Sequence, residues 1–319
     1  AGRFLEAAAD ALAHPAFPAE EIEKQRTHQI AALAEQMEQP FYLAQQELQE
    51  LLFPGHPYRW DPLGRKGSVA RISIQDLQAA HRRWVVTGNM VLSLFGDLDP
   101  ETATRYGDQV AKAIRREPAP VRELMEPRRT LPAVRRSQAP KEQAIILIGF
   151  PGIDLRDPRR DALDVLDQAL SGLSSELSTA IREQKGLAYY TGAGHRPGIG
   201  TGLFMLYAGT RPQAVDEVQR LMAVEIERIT RVGIAGRELD RAREQIIAAH
   251  EMGLQDNLSL AMACALNELY GLGYEYEFTT RQRLERLTTN QVRAAAMSIL
   301  STNQQAVSIF LPPSPSAAK

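Results

Sequence analysis

The chain has 319 residues, of which 44% are hydrophobic and 24% charged, and its 37 Lys and Arg nearly balance 39 Asp and Glu. Such a charge balance gives no support to binding of nucleic acid or of an anionic membrane surface. No run of about 18 apolar residues occurs, so we expect no membrane span, and one cysteine, Cys264, rules out a disulfide within the chain.

The first 116 residues are predicted to form helices and one strand. The opening residues have a helical pattern that ends near Pro15 and lack an initiating Met, so we expect the chain to begin within a domain. The apolar run Met90–Phe95, between two glycines, predicts a buried strand. Further helices are predicted over Pro18–Met37, Phe41–Leu52 and, capped by Ser73, Ile74–Val86.

Residues 117–141 differ in composition, with five prolines, many arginines and no sustained apolar period, and are predicted to be an interdomain linker. A second domain is predicted over residues 142–319. Its predicted strands are Ala144–Phe150, Leu203–Ala208 and Ala306–Leu311, and its helices include Asp161–Leu170, Gly236–Gly253, Asn257–Tyr270 and Thr289–Leu300. Strands separated by runs of helices favour an α+β fold with helices packed on one face of each sheet.

The sequence lacks the histidine-pair motifs of zinc peptidases and the nucleophile motif of serine hydrolases. The six histidines are never four residues apart, so neither H-E-x-x-H nor H-x-x-E-H is present, and no G-x-S-x-G elbow occurs. Five glycines lie between Gly192 and Gly202, directly before the apolar run Leu203–Ala208. Because a dinucleotide-binding loop precedes a helix, we interpret this stretch as a β-hairpin turn whose glycines adopt positive φ.

Two segments resemble the pitrilysin-type zinc metallopeptidases, the family that includes mitochondrial processing peptidase and its bacterial relatives. His56–Glu101, HPYRWDPLGRKGSVARISIQDLQAAHRRWVVTGNMVLSLFGDLDPE, is similar to the HPYG, LG, NM, GD and DPE series that closes the family's first domain. Leu170–Tyr190, LSGLSSELSTAIREQKGLAYY, is similar to a segment near the start of its second domain. The resemblance implies two similar α+β domains, each a mainly antiparallel sheet with helices, the first incomplete at its N-terminus and the second inactive.

Arg182 and Tyr189 stand seven residues apart, at the positions of the family's substrate-binding Arg/Tyr pair. The resemblance implies that Arg182 holds the peptide and that Tyr189 hydrogen-bonds near the carbonyl under attack. A guanidinium can grip carbonyl or carboxylate oxygens, and a phenol can donate to a developing oxyanion. The alternative is structural: a helix that ends at Gly186, with Arg182 solvated and Tyr189 half buried in a strand.

The resemblance also shows a departure at a zinc-ligand position. The family's third zinc ligand is a glutamate on the helix before the loop that ends here at Pro40, and Ala32, which has no donor atom, takes its place. Glu35 could substitute only with a shifted alignment. The family's H-x-x-E-H helix, well upstream of its HPYG segment, is absent from this sequence. We therefore assign no catalytic residue and expect no metal in this chain, with zinc on a partner subunit or on a missing N-terminal segment.

These observations predict a non-catalytic, peptide-holding subunit or domain of a zinc metallopeptidase. Its expected partners are a peptide or unfolded protein substrate and a zinc-bearing homologous subunit or a second copy, and its expected compartment is the bacterial periplasm, with the cytoplasm as the alternative. Two other functions stay open. The intact chain could itself be a zinc metalloendopeptidase whose H-x-x-E-H helix lies outside this sequence, or it could be a structural core subunit with no role for peptide.

Overall fold

The computed structural model describes residues 2–121, 123, 125–138, 143–172 and 175–313. It divides into two compact units: Ala1–Ala34, Leu63–Glu123 and His250–Thr280 form the first, and Glu35–Pro62, Leu124–Ala249 and Arg281–Lys319 form the second. Both units are assembled from separate stretches of sequence, whereas the predicted domains, 1–116 and 142–319, are consecutive segments. Their boundaries in the intact protein stay a prediction.

The helices of both units agree closely with the predicted ones. Ser73 caps its helix by accepting a hydrogen bond from the Asp76 backbone N–H at 3.1 Å. No described helix has the length and apolar character needed to cross a membrane. The helices are α1 (Gly2–Ala13), α2 (Ala19–Met37), α3 (Pro40–Leu52), α4 (Lys66–Val69), α5 (Ile74–Trp84), α6 (Pro100–Ala113), α7 (Arg160–Leu170), α8 (Glu176–Ser178), α9 (Val215–Arg231), α10 (Gly236–Gly253), α11 (Asn257–Leu269), α12 (Thr280–Glu285) and α13 (Thr289–Ile299).

The second unit contains a five-stranded sheet, which confirms the α+β class. Its strands are β1 (Ala133–Gln138), β2 (Ala144–Pro151), β3 (Ala188–Arg196), β4 (Leu203–Thr210) and β5 (Ala306–Leu311), in the order β1-β5-β2-β4-β3. Only the β1–β5 pair is parallel; the other neighbours are antiparallel. β2, β4 and β5 cover the three predicted strands, whereas β1 lies in the predicted linker, where Arg135 and Arg136 interrupt any apolar pattern.

Helices cover both faces of this sheet. On one face, Ile146, Ile148 and Phe150 of β2 belong to a buried cluster with residues of α7, α9 and α13. On the other face, Ile145 and Leu147 pack with residues of α3. A strand that is apolar along its whole length is expected where both faces are covered. The prediction of helices on one face of the sheet therefore describes only part of the packing, because α3 covers the other face.

Close packing and one buried carboxylate hold α3 on the sheet. A Cβ added at Gly149 would lie 2.8 Å from the Leu48 side chain, so glycine permits this approach. Glu47 of α3 accepts hydrogen bonds from Ser308 Oγ of β5, at 2.6 Å, and from Ser137 Oγ of β1. Both hydroxyls therefore satisfy a carboxylate that would otherwise be costly to bury.

The predicted strand Met90–Phe95 in the first unit is wrong. These residues form no strand, and no described residue pairs with them. Val91, Leu92 and Phe95 are each more than a third exposed. An apolar run becomes a strand only when another strand satisfies its backbone N–H and C=O groups, which a local pattern cannot ensure. The described part of this unit is helical.

Candidate functional site

A tightly hydrogen-bonded turn carries Arg182. The π-helical segment Thr179–Glu183 follows α8, and such segments occur frequently at functional sites. The turn closes when Leu187 N–H donates to Ile181 O at 3.0 Å and Gly186 N–H donates to Arg182 O at 2.9 Å. Gly186 has a φ of +61°, which glycine adopts without strain. The backbone on both sides of Arg182 is therefore fixed.

The Arg182 side chain itself is exposed and makes no hydrogen bond or ion pair with any described residue. The nearby Lys185 differs, because its Nζ lies 2.7 Å from Oε1 of Glu217 on α9. That ammonium lowers the pKa of the Glu217 carboxyl. The backbone at Arg182 is thus fixed, while its guanidinium is available to an external carbonyl or carboxylate oxygen.

Tyr189 lies at an irregularity near the start of β3. Ala188 pairs with Thr210 and Tyr190 pairs with Gly209, so Tyr189 is an extra residue with no partner on β4. Such β-bulges redirect a side chain and are over-represented next to active sites. The Tyr189 residue is 53% exposed, and its hydroxyl has no partner among the described residues. It is available to donate a hydrogen bond outward.

Arg182 and Tyr189 flank the same turn. The backbone bond from Leu187 N–H to Ile181 O links the residue before Arg182 to the second residue before Tyr189, and Thr210 Oγ1 of β4 donates to Leu187 O. Ile181, Leu187 and Ala188 are buried, which anchors the turn in the core. The sequence placed both residues seven apart, and the structure adds that both extend into solvent from one rigid support.

One tyrosine of the neighbouring hairpin explains one of its glycines. β3 and β4 form the predicted hairpin, but within Gly192–Gly202 only Gly200 has a positive φ, of +80°. Gly192 faces Tyr207 across the strands, and an added Cβ would lie 2.4 Å from its hydroxyl. Gly192 therefore makes room for an aromatic ring. The prediction that it adopts positive φ in a turn is wrong.

A cavity of about 570 Å³ lies beside this hairpin, and neither Arg182 nor Tyr189 lines it. Burial raises the pKa of the Tyr190 and Tyr207 hydroxyls that border it, so both stay neutral donors. The cavity is lined by Phe41, Asp167, Tyr190, Ala193, Gly194, His195, Arg196, Met205 and Tyr207.

Side chains of α7 and of Ser171, the residue that follows it, occupy part of the outer edge of β3. Asp167 accepts the His195 backbone N–H at 3.0 Å, and Ser171 Oγ accepts the Ala193 N–H at 3.1 Å. The buried His195 ring lies 2.7 Å from Asp164 through Nδ1. These are the positions at which an added strand would bond. At these two positions the edge of β3 is closed to the backbone of an added strand.

The described residues at and near the expected ligand position do not fit a zinc ion. Ala32 lies in α2, half buried, and offers only a methyl group. Glu35 follows on the same helix and is exposed. Within the described ranges, no three His, Cys, Asp or Glu side chains are grouped as a metal site would require. We assign no metal-dependent step to these residues.

Comparison with protein families gives a match to the peptidase M16 inactive domain over residues 71–246. An uncharacterized zinc protease of Streptomyces coelicolor is 29% identical over 248 residues, which cover 75% of this chain and 53% of that protein. One from Mycobacterium tuberculosis is 29% identical over 304 residues, covering 92% of this chain and 68% of that protein. The chain thus spans about half to two thirds of the length of these relatives.

A solved structure is similar over almost all of the chain. It is the crystal structure of a peptidase M16 inactive domain from Pseudomonas fluorescens, with a TM-score of 0.89 and 25% sequence identity. The match covers 97% of this chain and 75% of that one. Both units therefore have counterparts in a solved protein of similar architecture.

Proposed function

The chain belongs to the peptidase M16 inactive domain family, and from this we propose that it is the non-catalytic, peptide-holding part of a zinc metallopeptidase. In this proposal Arg182 grips a carbonyl or carboxylate oxygen of the bound peptide. Tyr189 donates a hydrogen bond to the oxygen that becomes negatively charged when the peptide carbonyl is attacked. The attacking water and its zinc belong to a partner subunit or to another segment of the intact protein.

The observation that carries this proposal is the state of the two side chains. Arg182 and Tyr189 are both exposed and without a partner among the described residues, while the backbone that supports them is fixed by hydrogen bonds and buried neighbours. An exposed arginine that serves only solubility does not require a hydrogen-bonded backbone or buried neighbours. Because the backbone is already fixed, only the side-chain rotamers lose conformational freedom when a ligand binds, which favours a role in holding peptide.

A zinc site elsewhere follows from the same proposal. Ala32 has no metal-binding atom, so a family member built on this chain needs ligands from another source. A homologous zinc-bearing subunit supplies them in a heterodimer. A second copy has the same Ala32, so in a homodimer the ligands come from residues outside this sequence. In both arrangements this chain contributes the substrate-holding pair.

A second candidate, an intact zinc metalloendopeptidase, is supported by the relatives. Those reported above carry the name zinc protease, and the chain spans 53% and 68% of their lengths. An H-x-x-E-H helix upstream would favour this candidate. It would still need a ligand that replaces the missing glutamate at Ala32.

Peptide binding tests the proposal. We expect Arg182→Ala to weaken binding of a labelled, unstructured peptide by about 10- to 100-fold, since a hydrogen bond to a charged group contributes about 1.5–3 kcal/mol. Fluorescence anisotropy with the intact protein, alone and with its zinc-bearing partner, measures this change. Arg220→Ala, an exposed arginine on α9, serves as the matched control and should bind as wild type does. Equal binding by Arg182→Ala and wild type would favour a structural core subunit instead.

A further inference from the structure

The cavity beside the β3–β4 hairpin, here called the hairpin cavity, lies where β3 has small residues. Alternate residues of a strand point to the same face of a sheet, so Tyr190, Gly192 and Gly194 all face α3. The ring of Tyr207 covers Gly192, whereas Gly194 lines the cavity and adds no side chain to it. The space that results, about 570 Å³, has the size of a small-ligand site, about 300–1,000 Å³.

Three aromatic rings border the hairpin cavity. Phe41 and Tyr207 meet edge to face, with ring centroids 5.3 Å apart and ring planes at 89°, and the Tyr190 ring lies 6.2 Å from that of Tyr207. Rings that meet at a right angle form a corner, and the face of an aromatic ring carries a negative potential that attracts cations. Neither tyrosine hydroxyl has a hydrogen-bond partner among the described residues.

Asp167 adds a carboxylate to the lining without a cation beside it. It accepts the His195 backbone N–H at 3.0 Å and lies 3.4 Å from Ser171 Oγ, but no Lys or Arg of the described ranges forms an ion pair with it. Burial raises the pKa of the Asp167 carboxyl, as expected where a carboxylate loses water without gaining a cation. Its oxygens can each accept a further hydrogen bond. A cation bound here would compensate for the lost water.

The other titratable residues of the lining do not supply that cation. The His195 side chain is fully buried and paired with Asp164, so His195 borders the cavity through its backbone. Arg196 is exposed, and its Nη2 lies 3.4 Å from Oε1 of Gln45 on α3. Water and salt screen an exposed charge more strongly than a partly buried one. The cavity therefore favours a positive ligand through Asp167 more than Arg196 opposes it.

We propose that the hairpin cavity binds an organic cation, the ammonium or guanidinium head group of a ligand. The N–H groups of the ligand donate to Asp167 and to the hydroxyl oxygens of Tyr190 and Tyr207, and its charge lies against the aromatic faces. The head group belongs either to a basic side chain of a peptide or to a free amine. Neither Arg182 nor Tyr189 lines the cavity, so this site is separate from the proposed peptide-holding pair.

Ligand-observed NMR titrations of the intact protein test this site. The probes are N-acetyl-lysine N-methylamide, its uncharged norleucine counterpart and its anionic glutamate counterpart. We expect the lysine probe to bind at least 10-fold more tightly than either of the others. Butylamine carries the same head group without a peptide backbone. Equal affinity for butylamine would assign the site to free amines, and tighter binding of the lysine probe would assign it to a basic side chain.

Asp167→Asn tests the carboxylate. Asparagine keeps an oxygen that can accept the His195 N–H but lacks the charge, so binding of the lysine probe should weaken at least 10-fold. Asp240→Asn removes an exposed carboxylate of α10 in the same unit and should bind as wild type does. Circular dichroism and thermal unfolding confirm that each variant is folded. Equal binding by Asp167→Asn and Asp240→Asn would overturn the proposal.

Two further variants test the rings and the sign of the charge. Phe41→Leu keeps an apolar side chain but removes an aromatic face, and should weaken binding of the lysine probe about 3-fold or more. Arg196→Gln removes the opposing charge and should leave that binding unchanged or tighten it. Weaker binding by Arg196→Gln, together with tightest binding of the glutamate probe by wild type, would make the cavity an anion site and contradict the proposal.

Discussion

In the assembled peptidase, Tyr189→Phe should lower kcat/KM by about 10²–10³-fold, the effect of removing one oxyanion donor. The substitution keeps the ring, its packing and its place in the β-bulge, and removes only a hydroxyl that has no partner among the described residues. Because that hydroxyl acts on the charge that develops during attack, kcat should fall as much as kcat/KM does. Steady-state kinetics with a quenched peptide measure both quantities.

The control for this substitution is Tyr274→Phe. Tyr274 is 54% exposed, close to the exposure of Tyr189, and lies in the first unit. Its loss of a hydroxyl should leave both kinetic constants unchanged. An unchanged kcat in Tyr189→Phe, with a raised KM, would place the hydroxyl in peptide binding only. Unchanged values for both constants would remove Tyr189 from the site.

Leu48→Ala should lower the free energy of unfolding by about 2–5 kcal/mol. Leu48 is fully buried on the α3 face of the sheet, where its side chain packs into the space left by the missing Cβ of Gly149. Removing three carbon atoms there opens a cavity that the hydrogen-bonded backbone of the sheet cannot collapse to fill. Urea unfolding followed by circular dichroism measures the change.

Leu258→Ala makes the same chemical change at a site that is 75% exposed. It should alter the free energy of unfolding by no more than about 0.5 kcal/mol, as surface substitutions usually do. A loss below about 1 kcal/mol in Leu48→Ala would show that α3 is not packed against the sheet as described. The second helical layer would then be incidental to the stability of the fold.

Local patterns predicted the elements that depend on local causes. β2 and β4 contain continuous apolar runs, β5 is apolar except for Ser308, and Ser73 caps α5 as its side-chain oxygen allows. Pairing between strands is not local. Residues 133–138 form a strand because they pair with β5, which lies about 170 residues later in the chain. Met90–Phe95 is more apolar but pairs with no strand among the described residues.

The candidate site, too, could be predicted from the sequence only in part. Arg182 and Tyr189 could be located from a family resemblance, because their spacing and surroundings are written in a short segment. Their exposure and the rigidity of their turn could not, since these depend on Thr210 of another strand. Asp167 and Ser171, which block part of the β3 edge, lie 28 and 22 residues from the groups they contact. Only the folded chain shows that relation.

The most direct test of the central claim is the zinc content and peptide cleavage of the intact protein, alone and mixed with a zinc-bearing homologous subunit. We expect the protein alone to lack stoichiometric zinc and to leave a quenched peptide library uncut. The mixture should cleave, and Arg182→Ala should reduce that cleavage. Stoichiometric zinc together with cleavage by the protein alone would contradict a non-catalytic role and would require a zinc ligand in place of Ala32.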